Sequence, residues 1–270
     1  MKPWNLLRRR RPRSTDGTRV YAIGDVHGCL HLLVDLLQRI ETDTSARERI
    51  DTHLVILGDF IDRGGQSADV CTLLHSLKDS GKFHCIKGNH EQAMVDVYEG
   101  SVPSLRFWLQ YGGGDTLLSF GVDEALIERA RVQEEAENQL IREVQQRVPA
   151  EIIAWMAELP TQIHVGDYLF VHAGIRPKVP LSMQSEFDLM WIREPFLSSK
   201  VRHPRLVVHG HSERDEPELL PNRFGIDTGA YRTGVLTAVG IENDDHWILQ
   251  TGTNQSAYAA LPSPTSPSFT

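Results

Sequence analysis

Five short apolar runs in this chain each end at glycine, aspartate, asparagine or histidine, and this repeated junction constrains the fold more than any other feature. Runs of this length bounded by glycine are typical of buried strands. The polar segments that follow the five runs are Gly24–Gly28, Gly58–Gly64, Gly88–Glu91, His172–Gly174 and His209–His211. The sequence therefore predicts buried strands whose ends carry polar side chains.

Two helical patterns separate the first three predicted strands. Apolar residues recur at helical spacing from Leu32 to Ile40 and again from Val70 to Leu77. Alternation of strand and helix predicts an α/β core with parallel strand pairs. Ligands of such sheets bind just outside the carboxyl ends of the strands, so we expect the five polar segments to converge on one site.

The side chains at these strand ends are of the types that bind transition metals. One aspartate or histidine after a strand is more typical of a turn or a hydrogen-bonded loop, but five such ends favour a shared site. Carboxylate, amide and imidazole ligands suit manganese, iron or zinc. They are too many for one tetrahedral ion and fit two ions about 3.5–4 Å apart, which requires one bridging carboxylate.

These segments resemble the successive motifs of the calcineurin-like metallophosphoesterases. The resemblance spans about residues 20–240, with the motifs in family order, and is narrower for the bacterial and phage form of the phosphoprotein phosphatases. It implies a β-sandwich flanked by helices, classed as α/β or as α+β by some schemes. A helix-rich stretch at about 104–160 is then expected to be an insertion beside the sheets.

The resemblance also implies a set of metal ligands. Asp25 and His27 would bind a first ion, and Asp59 would bridge both ions. Asn89, His172 and His211 would complete the second ion, whereas His209 matches no family ligand. The cofactors expected are two divalent ions, manganese first, with iron, zinc or cobalt as alternatives.

Four further residues would act on the substrate. By resemblance Arg63 binds phosphate oxygens, and Arg193 lies in a segment similar to the family's second phosphate-binding arginine, with a surface ion pair to a neighbouring carboxylate as the alternative. A hydroxide bridging the ions would attack phosphorus directly and in line. His90 would protonate the leaving oxygen, with Asp62 as its orienting carboxylate.

The predicted reaction is hydrolysis of phosphomonoesters, with phosphoserine or phosphothreonine of proteins as substrate. Phosphotyrosine and small aryl phosphates are further candidates. An alternative is a symmetrical dinucleoside tetraphosphate hydrolase, but such relatives tend to lack the residue corresponding to Asp62 and to carry aspartate where this chain has Glu91. Another alternative is a catalytically silent binding scaffold, which would be expected to lose ligands.

Composition and the chain ends bound the remaining possibilities. The 270 residues contain 28 Lys and Arg against 36 Asp and Glu, a formal charge of −8 that argues against nucleic acid as the main partner. No apolar run is long enough for a membrane span. Cys29, Cys71 and Cys85 have no metal-binding spacing and are expected to be reduced, as in a cytoplasmic protein. The oligomeric state stays open.

Both termini are predicted to be disordered. Residues 1–18 include an arginine-rich run that lacks the apolar core of a secretory signal, and contact of this arm with acidic lipid or nucleic acid is the alternative. The predicted tail spans residues 256–270, and within it Leu261–Thr270 alternates proline with serine and threonine. The phosphoesterase domain is expected over residues 19–255.

Three weaker signals lie inside that domain. Gly112–Gly114 has no P-loop lysine after it and predicts a turn between helices. The lone Asp-Thr-Gly triplet at Asp227 is similar to an aspartic-protease motif, but the protease dyad needs two carboxylates. The core face of the helix-rich stretch is expected to comprise Trp108, Leu117, Leu118, Ile152 and Trp155.

Overall fold

Residues 12–252 are described by a computed structural model, and they form two five-stranded sheets packed face to face. The first sheet has the order β10-β9-β1-β2-β3 and the second the order β4-β5-β6-β8-β7. The strands are β1 Thr18–Ile23, β2 Asp51–Ile56, β3 Phe83–Cys85, β4 Gln162–Val165, β5 Tyr168–Val171, β6 Leu206–His209, β7 Glu218–Leu219, β8 Arg223–Gly225, β9 Thr237–Glu242 and β10 Asp245–Gln250.

Three adjacent strands of each sheet are parallel, as the alternation of strands and helices predicts. β1 pairs in parallel with β2 and β2 with β3, while β6 pairs in parallel with β5 and β8. The remaining strands, β4, β7, β9 and β10, run antiparallel to their neighbours. The carboxyl ends of the parallel strands therefore lie along one edge of each sheet.

The parallel strands are apolar on both faces because both faces are covered. Val20 and Ala22 of β1 pack between the sheets, whereas Tyr21 and Ile23 pack against the helices outside. This explains why the strands read as continuous apolar runs rather than as alternating patterns. The predicted α/β sandwich flanked by helices is confirmed.

Ten α-helices surround the sheets in residues 12–252. They are α1 Leu30–Ser45, α2 Ser67–Leu77, α3 Asn89–Tyr98, α4 Val102–Gln110, α5 Gly113–Ser119, α6 Glu124–Ala130, α7 Glu134–Arg147, α8 Ala150–Glu158, α9 Glu186–Trp191 and α10 Ala230–Thr233. Every helix in this part of the chain is too short or too polar to cross a lipid bilayer. All three cysteines are buried and free.

Five of these helices, α4 to α8, occupy the stretch between β3 and β4 where an insertion is expected. Trp108 is fully buried here, but Trp155 is only half-buried. The prediction that Leu118 faces the core is wrong, because α5 is a short helix whose buried side carries Leu117 instead. Gly112 turns the chain between α4 and α5 with φ of 107°, a conformation that favours glycine.

The predicted N-terminal arm falls partly within the described residues. Residues 1–11 and 253–270 lie outside them, and so does the predicted C-terminal tail. Arg13 receives a hydrogen bond from the backbone N–H of Asp167 at 2.7 Å, and Ser14 donates its own to Asn243 at 2.8 Å. Residues 12–18 thus contact the β4–β5 turn and the β9–β10 turn, so the prediction of disorder is wrong for them.

Candidate metal centre

The segments after the strands bring every predicted metal ligand into one buried region. Asp25 and His27 follow β1, and Asp59 follows β2. Asn89 begins α3 beyond β3, while His172 and His211 follow β5 and β6. All six side chains are at least nine-tenths buried. The predicted ligands that follow strands of the first sheet therefore lie beside those that follow strands of the second sheet.

Asp59 lies at the middle of this region. Its Oδ2 atom is 3.2 Å from His172 Nε2, 3.7 Å from His90 Nε2 and 4.0 Å from His27 Nε2. Two groups of possible ligand atoms, each within 4.8 Å of one another, share this residue: His27, Asp59 and His90 form one, and Asp59, His172 and His211 the other. One carboxylate common to two clusters is the arrangement expected for a pair of ions.

Two histidines have their outer nitrogen fixed by a backbone carbonyl. His27 Nδ1 donates to Ile61 at 2.8 Å, and His172 Nδ1 donates to Leu57 at 2.8 Å. With Nδ1 donating to a carbonyl in each ring, Nε2 is the atom that faces Asp59. Burial opposes the charged form of His172, but Asp59 outweighs burial and raises the pKa of this ring. Burial and the neighbouring His90 hold the pKa of His27 well below its usual range, so that ring is neutral and able to bind a metal.

The second cluster is crowded with acceptors. His172 Nε2 lies 3.0 Å from Asn89 Oδ1 and 3.2 Å from His211 Nδ1. Burial and His172 lower the pKa of His211 to about 2, and the Nε2 atom of this ring is buried without a hydrogen-bond partner. An amide oxygen and imidazole nitrogens this close together are ligand types that suit a divalent cation.

Asp25 lies in the same region but outside the two groups. Its carboxylate accepts the backbone N–H of His211 at 3.0 and 3.2 Å. Burial, Asp227 and Asp59 all raise the pKa of Asp25 well above its usual range. Several buried carboxylates that destabilise one another's charge are a further reason why a cation fits here.

His90 and Asp62, the predicted acid and its orienting carboxylate, are hydrogen-bonded to each other. His90 Nδ1 is hydrogen-bonded to Asp62 Oδ2, and Asp62 also accepts from Trp108 at 2.7 Å and from Thr116 at 2.5 Å. Burial lowers the pKa of His90, but Asp59 and Asp62 outweigh it and raise the pKa to about 9. His90 is therefore cationic near neutral pH, although its Nε2 also belongs to a group that could bind an ion.

Glu91 is a site residue that the sequence suggested only as a family marker. Its carboxylate accepts the backbone N–H of Asp59 at 2.8 Å, of Phe60 at 2.9 Å and of Gly88 at 2.9 Å. Burial and Asp59 raise its pKa to about 7. Glu91 thus fixes the loop that carries Asp59. Its position three residues after Gly88, as in a capping box, was the available signal.

The two predicted phosphate-binding arginines lie at the rim. Arg63 Nη1 contacts Glu213 at 2.9 Å, and its guanidinium lies 4.7 Å from the ring centroid of Tyr231. Arg193 Nη2 donates to the carbonyl oxygen of His211 at 3.3 Å. Neither Glu213 nor Tyr231 carries a local sequence signal, because their contacts with Arg63 depend on loops far apart in the chain.

Two other polar residues near the centre have distinct roles. His209 belongs to neither cluster, and burial lowers its pKa to about 4, as expected for a neutral strand residue. Asp227 is buried, and its charge helps to raise the pKa of Asp25. Its own pKa is raised to about 6, mainly by burial. The similarity of the Asp227 triplet to a protease motif does not predict that Asp227 lies near Asp25.

Backbone strain is concentrated at this site. Seven non-glycine residues between residues 12 and 252 have positive φ angles. Five of them are His27 at 44°, Asp59 at 48°, Asp62 at 74°, Arg63 at 66° and His211 at 62°. Such conformations are disfavoured for non-glycine residues and persist where the surrounding structure fixes them. The fold thus holds these side chains in defined positions.

Known proteins resemble this chain over most of its length. The family model described as calcineurin-like phosphoesterase matches residues 18–233. A serine/threonine-protein phosphatase 1 from Salmonella typhimurium is 27% identical over 228 residues, covering 83% of this chain and 92% of its own. An asymmetrical bis(5'-nucleosyl)-tetraphosphatase from Geobacillus sp. is 25% identical over 238 residues, covering 82% and 89%.

Solved structures share the fold. One described as a candidate diadenosine tetraphosphatase has a TM-score of 0.60 at 21% identity, covering 89% of this chain and 99% of its own. A serine/threonine phosphatase from Saccharomyces cerevisiae has a TM-score of 0.53 at 17% identity, covering 93% and 82%. The matches thus include proteins named for two different substrates.

Proposed function

The chain belongs to the calcineurin-like phosphoesterase family, and from that premise we propose that it hydrolyses phosphomonoesters, namely phosphoserine and phosphothreonine residues of proteins. The observation that carries the proposal is the pair of buried ligand clusters that share Asp59. Two clusters with one common carboxylate suit the two-metal hydrolysis of phosphate esters.

The metal-binding residues are proposed as follows. Asp25 and His27 would hold the first ion, Asp59 both ions, and Asn89, His172 and His211 the second. When bound, the two divalent ions supply Lewis acidity and an activated water. Manganese is the ion we propose for both positions. Glu91 holds the Asp59 loop in place through three backbone N–H groups.

His90 is proposed to protonate the leaving oxygen of the substrate. Asp62 accepts hydrogen bonds from His90, Trp108 and Thr116, so its carboxylate is fixed in orientation. The pKa of His90, raised to about 9 against the opposing effect of burial, keeps the imidazolium form populated near neutral pH. An alkoxide leaving group needs such a proton, whereas an aryl oxide needs it less.

Arg63 and Arg193 are proposed to bind the nonbridging phosphate oxygens. A guanidinium group donates two parallel hydrogen bonds to a phosphate and stays charged at every physiological pH. Arg193 is tied to the backbone of His211 and is therefore held beside the second cluster. The overall charge of −8 does not oppose this, because the cations are local to the site.

Two features favour a phosphoprotein over a dinucleotide substrate. Asp62 precedes Arg63 and is buried against His90, and Glu91 follows His90, as in the phosphoprotein phosphatase motifs. The Salmonella relative is named for that activity. The second candidate function is hydrolysis of dinucleoside tetraphosphates, favoured by the name and equally broad coverage of the Geobacillus relative.

A parallel assay tests the proposal. The wild type and Asp59→Asn would be supplied with manganese and given a phosphothreonine peptide or diadenosine tetraphosphate. We expect the wild type to have the higher kcat/KM on the peptide and Asp59→Asn to lose activity on both. Asp35→Asn, which changes a partly exposed carboxylate on α1, is the matched control and should retain activity.

Each other outcome has a definite meaning. A higher kcat/KM on diadenosine tetraphosphate would replace the proposed substrate with the second candidate. If the metal-loaded wild type hydrolyses neither compound and releases no nitrophenol from p-nitrophenyl phosphate, the chain is a silent binding scaffold.

A further inference from the structure

Four aromatic side chains form a continuous surface next to the proposed metal centre. The Phe107 ring lies 4.5 Å from that of Tyr111 and 5.3 Å from that of Trp191, between centroids. Trp191 in turn stacks on Phe187 at 6.1 Å with an interplanar angle of 18°. We refer to Tyr111, Phe107, Trp191 and Phe187 as the aromatic ladder. It joins α4 of the helix-rich stretch to α9 beside the second sheet.

The aromatic ladder extends between the two proposed phosphate-binding arginines. Trp191 lies edge-on to His211, with ring centroids 6.4 Å apart, and precedes Arg193 by two residues. At the other end, Tyr111 precedes Gly112, whose carbonyl oxygen accepts the backbone N–H of Arg63. A substrate whose phosphate contacts both arginines would therefore have the ladder beside it.

Within residues 12–252, exposed aromatic rings are confined to this neighbourhood. Three Phe, Tyr or Trp residues are exposed between residues 12 and 252, namely Phe187 at 68%, Tyr111 at 49% and Tyr231 at 39%. Two of them end the aromatic ladder, and Tyr231 contacts the His27 ring edge-on at 5.5 Å. Exposed aromatic surface placed only around one centre indicates recognition rather than incomplete burial.

The charges at the rim favour a substrate with one phosphate. Arg63 and Arg232 both contact Glu213, and Arg232 also lies 3.4 Å from Asp215. These carboxylates neutralise cations that a chain of four phosphates would need. A single phosphate carried beside an apolar side chain matches a site with local positive charge and an aromatic flank.

We propose that the aromatic ladder binds an aromatic side chain that flanks the phosphorylated residue of a protein substrate, and thereby sets sequence preference. The inference rests on the proposed phosphoprotein phosphatase function and names its substrates more narrowly. Phe187 is the outermost ring and offers an exposed face on which a phenylalanine or tyrosine side chain of the substrate stacks.

A set of phosphopeptides tests whether the aromatic ladder binds a flanking aromatic side chain. Phosphothreonine peptides in an alanine background would carry phenylalanine at each flanking position in turn, and kcat/KM would be measured for the wild type and Phe187→Ala. For the wild type we expect the best phenylalanine peptide to exceed the alanine peptide by about threefold to tenfold. Phe187→Ala should reduce that ratio to near one. Because the side chain is 68% exposed, its removal leaves the core intact.

Val132→Ala is the matched control, since Val132 is an apolar residue exposed at 80% between α6 and α7. It should keep the wild-type ratio. Peptide hydrolysis without any phenylalanine preference, or with a preference that Phe187→Ala retains, would overturn the inference while leaving the proposed function standing.

Failure of the proposed function has a different signature. If the wild type hydrolyses no phosphopeptide but does hydrolyse diadenosine tetraphosphate, the phosphoprotein assignment fails and the inference fails with it. A loss of diadenosine tetraphosphate hydrolysis in Phe187→Ala would then identify a nucleobase as the occupant.

Discussion

Arg63 Nη1 lies 2.9 Å from Glu213 Oε1, so one of the two proposed phosphate-binding groups is paired with a carboxylate. Glu213 also accepts from the hydroxyl of Tyr231 at 2.9 Å, which places the Arg63 guanidinium over that ring. The pair joins the segment after β2 to the segment after β6. A substrate phosphate must therefore compete with Glu213 for Arg63.

Replacing Glu213 tests this competition. Glu213→Gln removes the negative charge, and we expect KM for a phosphopeptide and the inhibition constant of inorganic phosphate to fall by about two- to fivefold, the range of a partly exposed ion pair. Asp215→Asn, which leaves Arg63 untouched, is the control. A rise in KM would mean instead that Glu213 orients Arg63 for binding.

The His90→Asn variant distinguishes two possible roles of His90, a proton donor and a metal ligand. The variant should keep both ions by elemental analysis and lose about 10²- to 10⁴-fold in kcat on alkyl phosphates, with a smaller loss on p-nitrophenyl phosphate, whose leaving group needs no proton. His31→Asn, an exposed histidine on α1, should be unaffected. Loss of metal from His90→Asn would make this residue a ligand, as its membership of the His27 cluster allows.

Gly210 has no room for a side chain. A Cβ atom there would lie 1.9 Å from Asp25 Oδ1, so Gly210→Ala must displace that carboxylate. We expect weaker binding of the first ion and a loss of more than about tenfold in activity, because precise ligand placement is required. Gly65→Ala is the matched control, since its Cβ meets no atom within 4 Å. Equal activity and metal content in the two variants would contradict the proposed role of Asp25.

Metal removal should lower stability as well as activity. Ions that bind only the folded state at 100 times their dissociation constant stabilise it by about 2.7 kcal/mol per site. A chelator should therefore lower Tm of the wild type, whereas Asp59→Asn should show little change because both clusters lose their shared ligand. Equal shifts in the two proteins would place the stabilising ions elsewhere.

Asp43, which lies away from the proposed metal centre, is expected to make a pH-dependent contribution to the free energy of unfolding. It accepts hydrogen bonds from Tyr21 at 2.5 Å, Arg47 at 2.9 Å and Trp247 at 2.9 Å. Burial raises its pKa, but Arg47 and Tyr21 outweigh burial and lower the pKa below its usual value. A carboxyl whose pKa is lower in the folded state stabilises the fold above its unfolded pKa, near 3.9, and loses that effect as pH falls.

Asp43→Asn should thus lower the free energy of unfolding by about 1–3 kcal/mol at pH 7 and by less at pH 3. Urea denaturation at the two pH values measures the difference. Asp35→Asn, which loses a partly exposed pair with Arg39 on α1, should change stability by less than about 0.5 kcal/mol at either pH. If Asp43→Asn lowers the free energy of unfolding by the same amount at pH 7 and pH 3, then titration of Asp43 does not contribute to stability.

The sequence predicted the parts of the molecule that local pattern determines. The strand ends that carry Asp25, Asp59 and His172 are recognisable because a buried parallel strand and its following glycine are encoded within a few residues. Leu118 was misplaced because one residue of error in a short helix reverses the exposed and buried sides.

Residues that act through tertiary contacts left no local signal. Glu213 meets Arg63 across 150 positions of chain, and Phe107 meets Trp191 across the boundary between the helix-rich stretch and the second sheet. No periodicity or motif reports such pairs, because they depend on how separate elements pack. The three backbone hydrogen bonds of Glu91 were likewise visible only once β2 and α3 were adjacent.

The pairing of β1 in the first sheet affects when the proposed metal centre can form during synthesis. β1, which leads into Asp25 and His27, is paired on one side with β2 and on the other with β9, over Thr237–Glu242. A ribosome-bound chain that has emerged only as far as His211 holds every proposed ligand but still lacks β9, the second of the two strands that pair with β1. Hydrolase activity should consequently first arise after β9 has left the exit tunnel, late in synthesis.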